Sequence, residues 1–203
     1  MVILGIDPGY AIVGYGVIEK NERGQVRVLD YGAINTPKEE DFPVRLAMIQ
    51  DGMNALIERF KPDAVAIEEL FFNQNITTGI AVAEARGVIL CTAIQNVPRV
   101  FEFTPIQIKQ SITGFGKADK KQVQFMTKTI LGLKSLPKPD DAADALAVAL
   151  CLAQTNTKLQ NSDVEVFTNN NLKKTDIKET IKRKIKKWYI RWLEKSQWLM
   201  KIQ

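Results

Sequence analysis

The first eighteen residues constrain this chain most. Val2-Ile3-Leu4-Gly5-Ile6-Asp7-Pro8-Gly9-Tyr10 runs on into Ile12-Val13-Gly14-Tyr15-Gly16-Val17-Ile18, two β-branched stretches broken by Pro and Gly, which is the pattern of neighbouring strands joined by a tight turn. A strand buried on both faces should not end in a carboxylate unless that charge has a partner, because burying an isolated ionised Asp costs several kcal/mol. Asp7 therefore asks for a cation. Gly5, Gly9, Gly14 and Gly16 remove bulk around it and would let a metal or a phosphate come close to the backbone. The alternative reading is that Asp7 only caps the Pro8-Gly9 turn.

Composition narrows the chemistry. The 203 residues suffice for one well-buried domain plus an appendage, and the chain contains no histidine, which excludes His-based triads, His-ligated zinc and imidazole bases. Carboxylates, lysines and hydroxyls are left. Cys91 and Cys151 each lie in an apolar helical pattern without CxxC spacing, so both are expected as buried free thiols. No apolar run reaches membrane-spanning length and the first residues read as a strand instead of a signal segment, so a cytoplasmic location is expected. The net charge of +5 is unevenly spread: residues 172–203 carry eleven Lys or Arg and three Asp or Glu, leaving 17 basic and 20 acidic residues in 1–171. A mildly acidic body binds a polyanion only through a local basic patch or through cations held on its own acids.

Along the chain, a third strand over about Val26 to Ile34 completes an antiparallel meander. Leu46, Ile49, Met53, Leu56, Ile57 and Phe60 then recur at helical spacing. Ala64-Val65-Ala66-Ile67-Glu68 is a fourth strand that again ends in acid; parallel to the first, it would bring Glu68 beside Asp7. A helix is expected over Ile76 to Ile94, with Ile80, Ala83, Gly87, Leu90, Cys91 and Ile94 on one stripe, and a fifth strand over Arg99 to Phe103. Thr104-Pro105 opens a helix carrying Lys109, and Asp119 with Gln122 caps another whose inward residues are Val123, Met126, Ile130 and Leu133. Between Arg99 and Lys128 six basic residues face two acidic ones, a pattern that a solvated helix face also produces.

After Pro137-Lys138-Pro139 comes Asp140-Asp141-Ala142-Ala143-Asp144-Ala145-Leu146. Asp140 reads as a helix cap, whereas Asp141 and Asp144 share one face among alanines that let it lie tight on a sheet. Asp7, Glu68, Asp141 and Asp144 could then converge. Alone they would repel; with two Mg²⁺ ions they would form a hard-ligand site. Two such ions about 3.5–4 Å apart clamp the attacking and leaving oxygens of a phosphodiester.

Taken in order, Gly5-Ile6-Asp7-Pro8-Gly9, Gly14-Tyr15-Gly16, Ala66-Ile67-Glu68, Glu84-Ala85-Arg86-Gly87, Lys109-Gln110 and Asp141-Ala142-Ala143-Asp144-Ala145-Leu146-Ala147 closely resemble the RuvC family of Holliday junction resolvases over about Met1 to Ala153. The resemblance implies an α/β, ribonuclease H-like fold: a five-stranded mixed sheet, three strands antiparallel and then two parallel, flanked by helices. It also implies a homodimer that resolves four-way DNA junctions in recombination and repair by paired symmetric Mg²⁺-dependent nicks, with Mn²⁺ as a substitute and ligatable 5′-phosphate ends. By position, Asp7, Glu68, Asp141 and Asp144 match the family's metal-binding acids. Lys109 and Lys120 match lysines near the cut, with Lys120 assigned a catalytic part, and Lys117 and Lys121 join them as expected DNA contacts. Phe71 matches an aromatic that stacks on a base at the opened junction centre. The Ile76 to Ile94 helix corresponds to the dimer helix, and a branch-migration motor is the implied partner.

The resemblance ends near Ala153. The expected organisation is a nuclease domain over 1–154, a polar linker over 155–171, and a basic amphipathic helical tail over 172–203 that holds Trp188, Trp192 and Trp198. The tail reads as an added DNA grip, as a membrane-surface or partner-binding helix, or as a helix without a specific role. Besides a non-catalytic junction-binding module, which would not explain four acids placed where a polyanion must bind, two other functions compete for the body. One is a ribonuclease H-like nuclease acting on RNA or single strands; the other is a sugar kinase or actin-like ATPase fragment, whose second glycine-rich phosphate turn this sequence lacks.

Overall fold

Strand β1 (Val2–Asp7) alternates its side chains between two cores. In the computed structural model, which describes residues 1–70, 76–155 and 165–168, Leu4 and Ile6 enter one core and Ile3 the other. This period of two puts Gly5 and Asp7 on the same face as Ile3. β2 (Ile12–Lys20) returns antiparallel to β1, and β3 (Val26–Asn35) continues the meander with a register irregularity between Val17 and Ile18. α1 (Phe42–Phe60) then crosses over to β4 (Ala64–Glu68), which pairs parallel to β1 in the register Ile6↔Ile67. One residue further on, Asp7 and Glu68 stand side by side, as the two acid-ended strands suggested.

α2 (Ile76–Asn96) leads to β5 (Arg99–Phe103), parallel to β4. α3 (Pro105–Thr113), α4 (Lys120–Ile130) and α5 (Asp140–Gln154) follow. The sheet is one strand larger than expected. β6 (Glu165–Thr168) pairs antiparallel to β5, giving the order β3-β2-β1-β4-β5-β6. The stretch expected as pure linker thus contains a strand: Glu165-Val166-Phe167-Thr168 is short, but the exposed backbone of β5 offers it a complete ladder. The basic tail and Phe71 lie outside the described residues.

Helices cover the sheet on both faces. Ile49, Met53, Leu56 and Ile57 of α1 and Ala85, Ile89 and Ala93 of α2 pack with Val13, Val17, Val65 and Ile67 in one core. The second core joins Phe101, Phe103, Ile108, Ile112 and Val123 to α5. Residues Ala145 to Ala153 are all buried, so this part of α5 is apolar all round, as a helix segment enclosed on every side must be. Leu146 and Leu150, 0% and 1% exposed, each contribute about 1.5–3 kcal/mol by burial.

Several side chains differ from expectation. Of the expected α2 stripe, Ile80, Gly87 and Cys91 are exposed while Ala83, Leu90 and Ile94 are partly buried, and Ala85, Ile89 and Ala93 face in, because this helix is apolar on both sides. Cys91 is therefore an exposed thiol, and only Cys151 is buried. On α4, Ile130 is 41% exposed and its place inside is taken by Thr127, whose hydroxyl donates to the Val123 carbonyl at 2.8 Å and so carries no unpaired polar group into the core. Pro139 occupies the N-cap of α5 without a side-chain bond, leaving Asp140 in the first turn instead of at the cap.

Candidate active site

The acids are brought together by close packing of backbone on backbone. A Cβ added at Gly5 would lie 2.2 Å from the Ala145 carbonyl oxygen, and one at Gly14 would lie 2.1 Å from that of Asp141. Of the glycines expected to admit a phosphate or metal, Gly5, Gly14 and Gly16 instead admit α5, and Gly9 sits tight against the Ile12 carbonyl oxygen of its own turn. Because Gly14 is the hairpin partner of Asp7, the contact with Asp141 fixes the start of α5 at the edge where β1 and β4 end. Asp141 and Asp144, three residues apart, then face Asp7 and Glu68.

The electrostatics reflects the crowding of charge at this edge. Burial, together with the neighbouring charges of Glu68, Asp144 and Asp141, pushes the Asp7 carboxyl from 3.8 up to about 8. Burial and Asp144 raise Glu68 from 4.5 to about 7, against the opposing pull of Lys109 and Lys120. Asp144 is raised by burial even though the Lys120 ammonium, 2.7 Å from its Oδ2, opposes the shift. Lys120 is correspondingly raised, chiefly by its hydrogen bond to Asp144. Lys109 thus acts on Glu68 and Lys120 on all of Asp7, Glu68 and Asp144. Lys117 and Lys121 are exposed on either side of Lys120.

The donor set suits hard divalent cations: four carboxylates, with no thiolate or imidazole among them. Burial first, and then the surplus of negative charge, raise the Asp7 carboxyl, and a cation would relieve both. Among the described residues, however, no three acidic side chains form a ready-made cage around one point. Mutual repulsion and the Lys120 contact, which ties Asp144 to α4, both act against a closed cluster. A shared cation site on these acids would therefore need their side chains to move together.

These shifts set a pH dependence. Both carboxyls keep protons in the folded protein that the unfolded chain releases above about pH 4, so without divalent ions the fold loses stability as pH rises through about 7 and 8. In chelator, the melting temperature is expected to be lower at about pH 8.5 than at about pH 5, and Asp7→Asn should recover part of the difference. A parent melting curve that does not fall with rising pH would contradict this electrostatic picture.

Two supporting contacts were not anticipated from sequence. Arg45, 8% exposed, donates from Nε to Thr36 Oγ1 at 3.0 Å and stacks 4.7 Å over the Tyr10 ring. Thr36 Oγ1 in turn donates to the Tyr10 carbonyl at 2.6 Å, pinning the turn that follows Asp7. Arg86 of α2 forms an ion pair with the buried Glu102 of β5. A cation at a helical position facing an acid on an apolar strand was the available signal for this second pair.

A family model described as crossover junction endodeoxyribonuclease RuvC matches residues 3–152. The chain belongs to the RuvC family. The RuvC protein of Caldicellulosiruptor saccharolyticus is 49% identical over 166 residues, a match spanning 82% of this chain and 100% of that relative. The Thermus thermophilus RuvC structure superposes with a TM-score of 0.70 at 38% identity, covering 76% of this chain and 94% of that one. The T. thermophilus RuvC in complex with Holliday junction substrate superposes with a TM-score of 0.69 at 38% identity, covering 74% and 92%. The fold is ribonuclease H-like, its sheet one strand larger than expected. No described helix is long and apolar enough to cross a membrane.

Proposed function

We propose that this chain is a structure-specific endonuclease that resolves four-way (Holliday) DNA junctions by paired symmetric nicks leaving ligatable 5′-phosphate ends. The reading is carried by the meeting of Asp7, Glu68, Asp141 and Asp144 at one sheet edge, with Lys120 against them, in a member of the RuvC family. A polyanion approaching so many acids requires cations between them, which a binding module would not need.

Asp7, Glu68, Asp141 and Asp144 would hold two divalent ions, Mg²⁺ with Mn²⁺ as a substitute. When bound, such ions activate a water and stabilise the departing 3′ oxygen. The protein supplies the rest. The N-terminal dipole of α5 supports the carboxylates of Asp141 and Asp144. Lys120 offsets charge that develops on the scissile phosphate. Lys109, Lys117 and Lys121 hold the strand backbone, and Phe71 stacks on a base at the junction centre.

The outward stripe of α2 favours a homodimer, since Gly87 has nothing within 4 Å of an added Cβ and so leaves room for a partner helix. Two copies related by a two-fold axis would present two such sites to strands of like polarity. Action within the cytoplasm alongside a branch-migration motor, and extra DNA contact from residues 172–203, complete the proposal.

The test is nicking of a synthetic four-way junction against linear duplex with and without Mg²⁺. Divalent-dependent, symmetric nicking of the junction alone is expected, and equal cutting of linear duplex, RNA or single strands would overturn the assignment. For Lys120→Ala, slower nicking is expected together with a salt slope of junction binding reduced by about one. An unchanged slope would remove Lys120 from the phosphate contacts.

A further inference from the structure

Phe115 stands at the tip of the turn between α3 and α4 and is 58% exposed, with Ile106 at 61%. An aromatic ring left in water on a mobile loop would mean little, but this turn is clamped. Gly114 takes φ +74, and its carbonyl accepts from Gln110 Nε2 at 2.7 Å. The other end of the same amide, Gln110 Oε1, accepts from the Gly116 backbone at 3.0 Å. The Phe115 backbone N–H donates to Thr113 Oγ1 at 3.1 Å, and its carbonyl accepts from Ala118 N at 3.0 Å. One glutamine thus brackets Phe115 on both sides. Gly116 packs beneath Ile106, whose Cγ2 would be 3.0 Å from an added Cβ.

The surroundings are cationic. From Pro105 to Lys121 the chain carries Lys109, Lys117, Lys120 and Lys121 against one acid, Asp119. Asp119 is committed to capping α4, its Oδ1 accepting from the Gln122 N–H at 2.8 Å. Phe115 lies five residues before Lys120, at most about 17 Å along a fully extended chain, or about five nucleotide steps of a strand. A clamped, solvent-facing aromatic in a lysine-rich stretch of chain has the make-up of a base-stacking platform.

We propose that Phe115, flanked by Ile106, is such a platform for one base of the substrate strand close to the branch point. This rests on the reading of four-way junction DNA as the substrate. Stacking needs a base whose neighbour has been lost, so the platform favours the distorted centre of a junction over continuous duplex. It adds a preference for unstacked bases, whatever their identity, that the lysines, which hold phosphates, cannot supply.

The test uses full-length protein in chelator, with junctions carrying 2-aminopurine at successive positions from the branch point. Phe115→Ala is expected to bind the junction about five- to hundredfold more weakly, with linear-duplex affinity and salt slope unchanged. It should also lose the fluorescence change that the parent causes at one position, and Phe115→Trp should restore both. Ile106→Ser should show the same defect to a smaller degree, and unchanged melting curves for these exposed sites confirm folding. Parent-like affinity and fluorescence for Phe115→Ala would overturn the platform, as would equal loss on linear duplex. A parent protein that does not prefer junction to duplex would instead overturn the substrate reading, and the platform with it.

Discussion

Asp7→Asn protein is expected to nick four-way junctions at least about a hundredfold more slowly than the parent while still binding them. Altering a group that only supports a metal ligand typically costs 10- to 100-fold, so removing the most buried carboxylate of the set should cost more. Asp7 is also where the charges of Glu68, Asp144 and Asp141 are all felt, so no neighbour can take its place without leaving its own. Asp144→Asn should behave alike, with the further effect of freeing the Lys120 ammonium from its 2.7 Å contact. The measurement is single-turnover nicking of a labelled junction in Mg²⁺ at saturating protein. Near-parental rates from either variant would remove these residues from the chemistry. Because Asp7→Asn is also expected to raise the metal-free melting temperature at high pH, lost activity in a more stable protein would separate a catalytic defect from unfolding.

Gly14→Ala is expected to damage stability and activity together. The new methyl would meet the Asp141 carbonyl oxygen at 2.1 Å and its carbon at 2.4 Å, and these are helix backbone atoms, which cannot swing aside as a flexible side-chain end would. Overpacking of this kind costs about 1–3 kcal/mol, or a melting temperature lower by about 2–12 °C for a chain of this size. Relief comes only from moving the first turn of α5, which displaces Asp141 and Asp144 from Asp7. Nicking should therefore fall by more than the folded fraction alone accounts for, as melting curves and single-turnover rates on the same sample would reveal. Ala at Gly24, where nothing lies within 4 Å but φ is +82, gives the contrasting case: strained backbone far from the acids, with activity retained per folded molecule.

The arrangement of the acids was legible because it follows from periods and register. Alternation along β1 places Asp7 on the face of Ile3, and the parallel pairing of β4 brings Glu68 alongside, so two apolar strands ending in acid already imply a shared edge. Asp141 and Asp144 follow from helical spacing. The purpose of the glycines was not legible, since a missing side chain makes room equally for a ligand or a helix, and only the approach of α5 decides between them. Arg45 was passed over because an arginine on an amphipathic helix ordinarily faces water; burial here depends on Tyr10 and Thr36, which are distant in sequence. The outward turn of Cys91 escaped notice because α2 carries apolar residues on both sides, and period alone cannot rank two greasy faces.

Strand β6 bears on how the molecule avoids sticking to its own kind. Without it, β5 would present an open row of amides and carbonyls, an invitation to edge-to-edge fibre growth. The pairing from Arg99↔Thr168 to Glu102↔Glu165 closes that row. A protein shortened after Gln154, where α5 ends, would keep every acid of the candidate site yet lose this cover, and is expected to self-associate more readily than the longer chain.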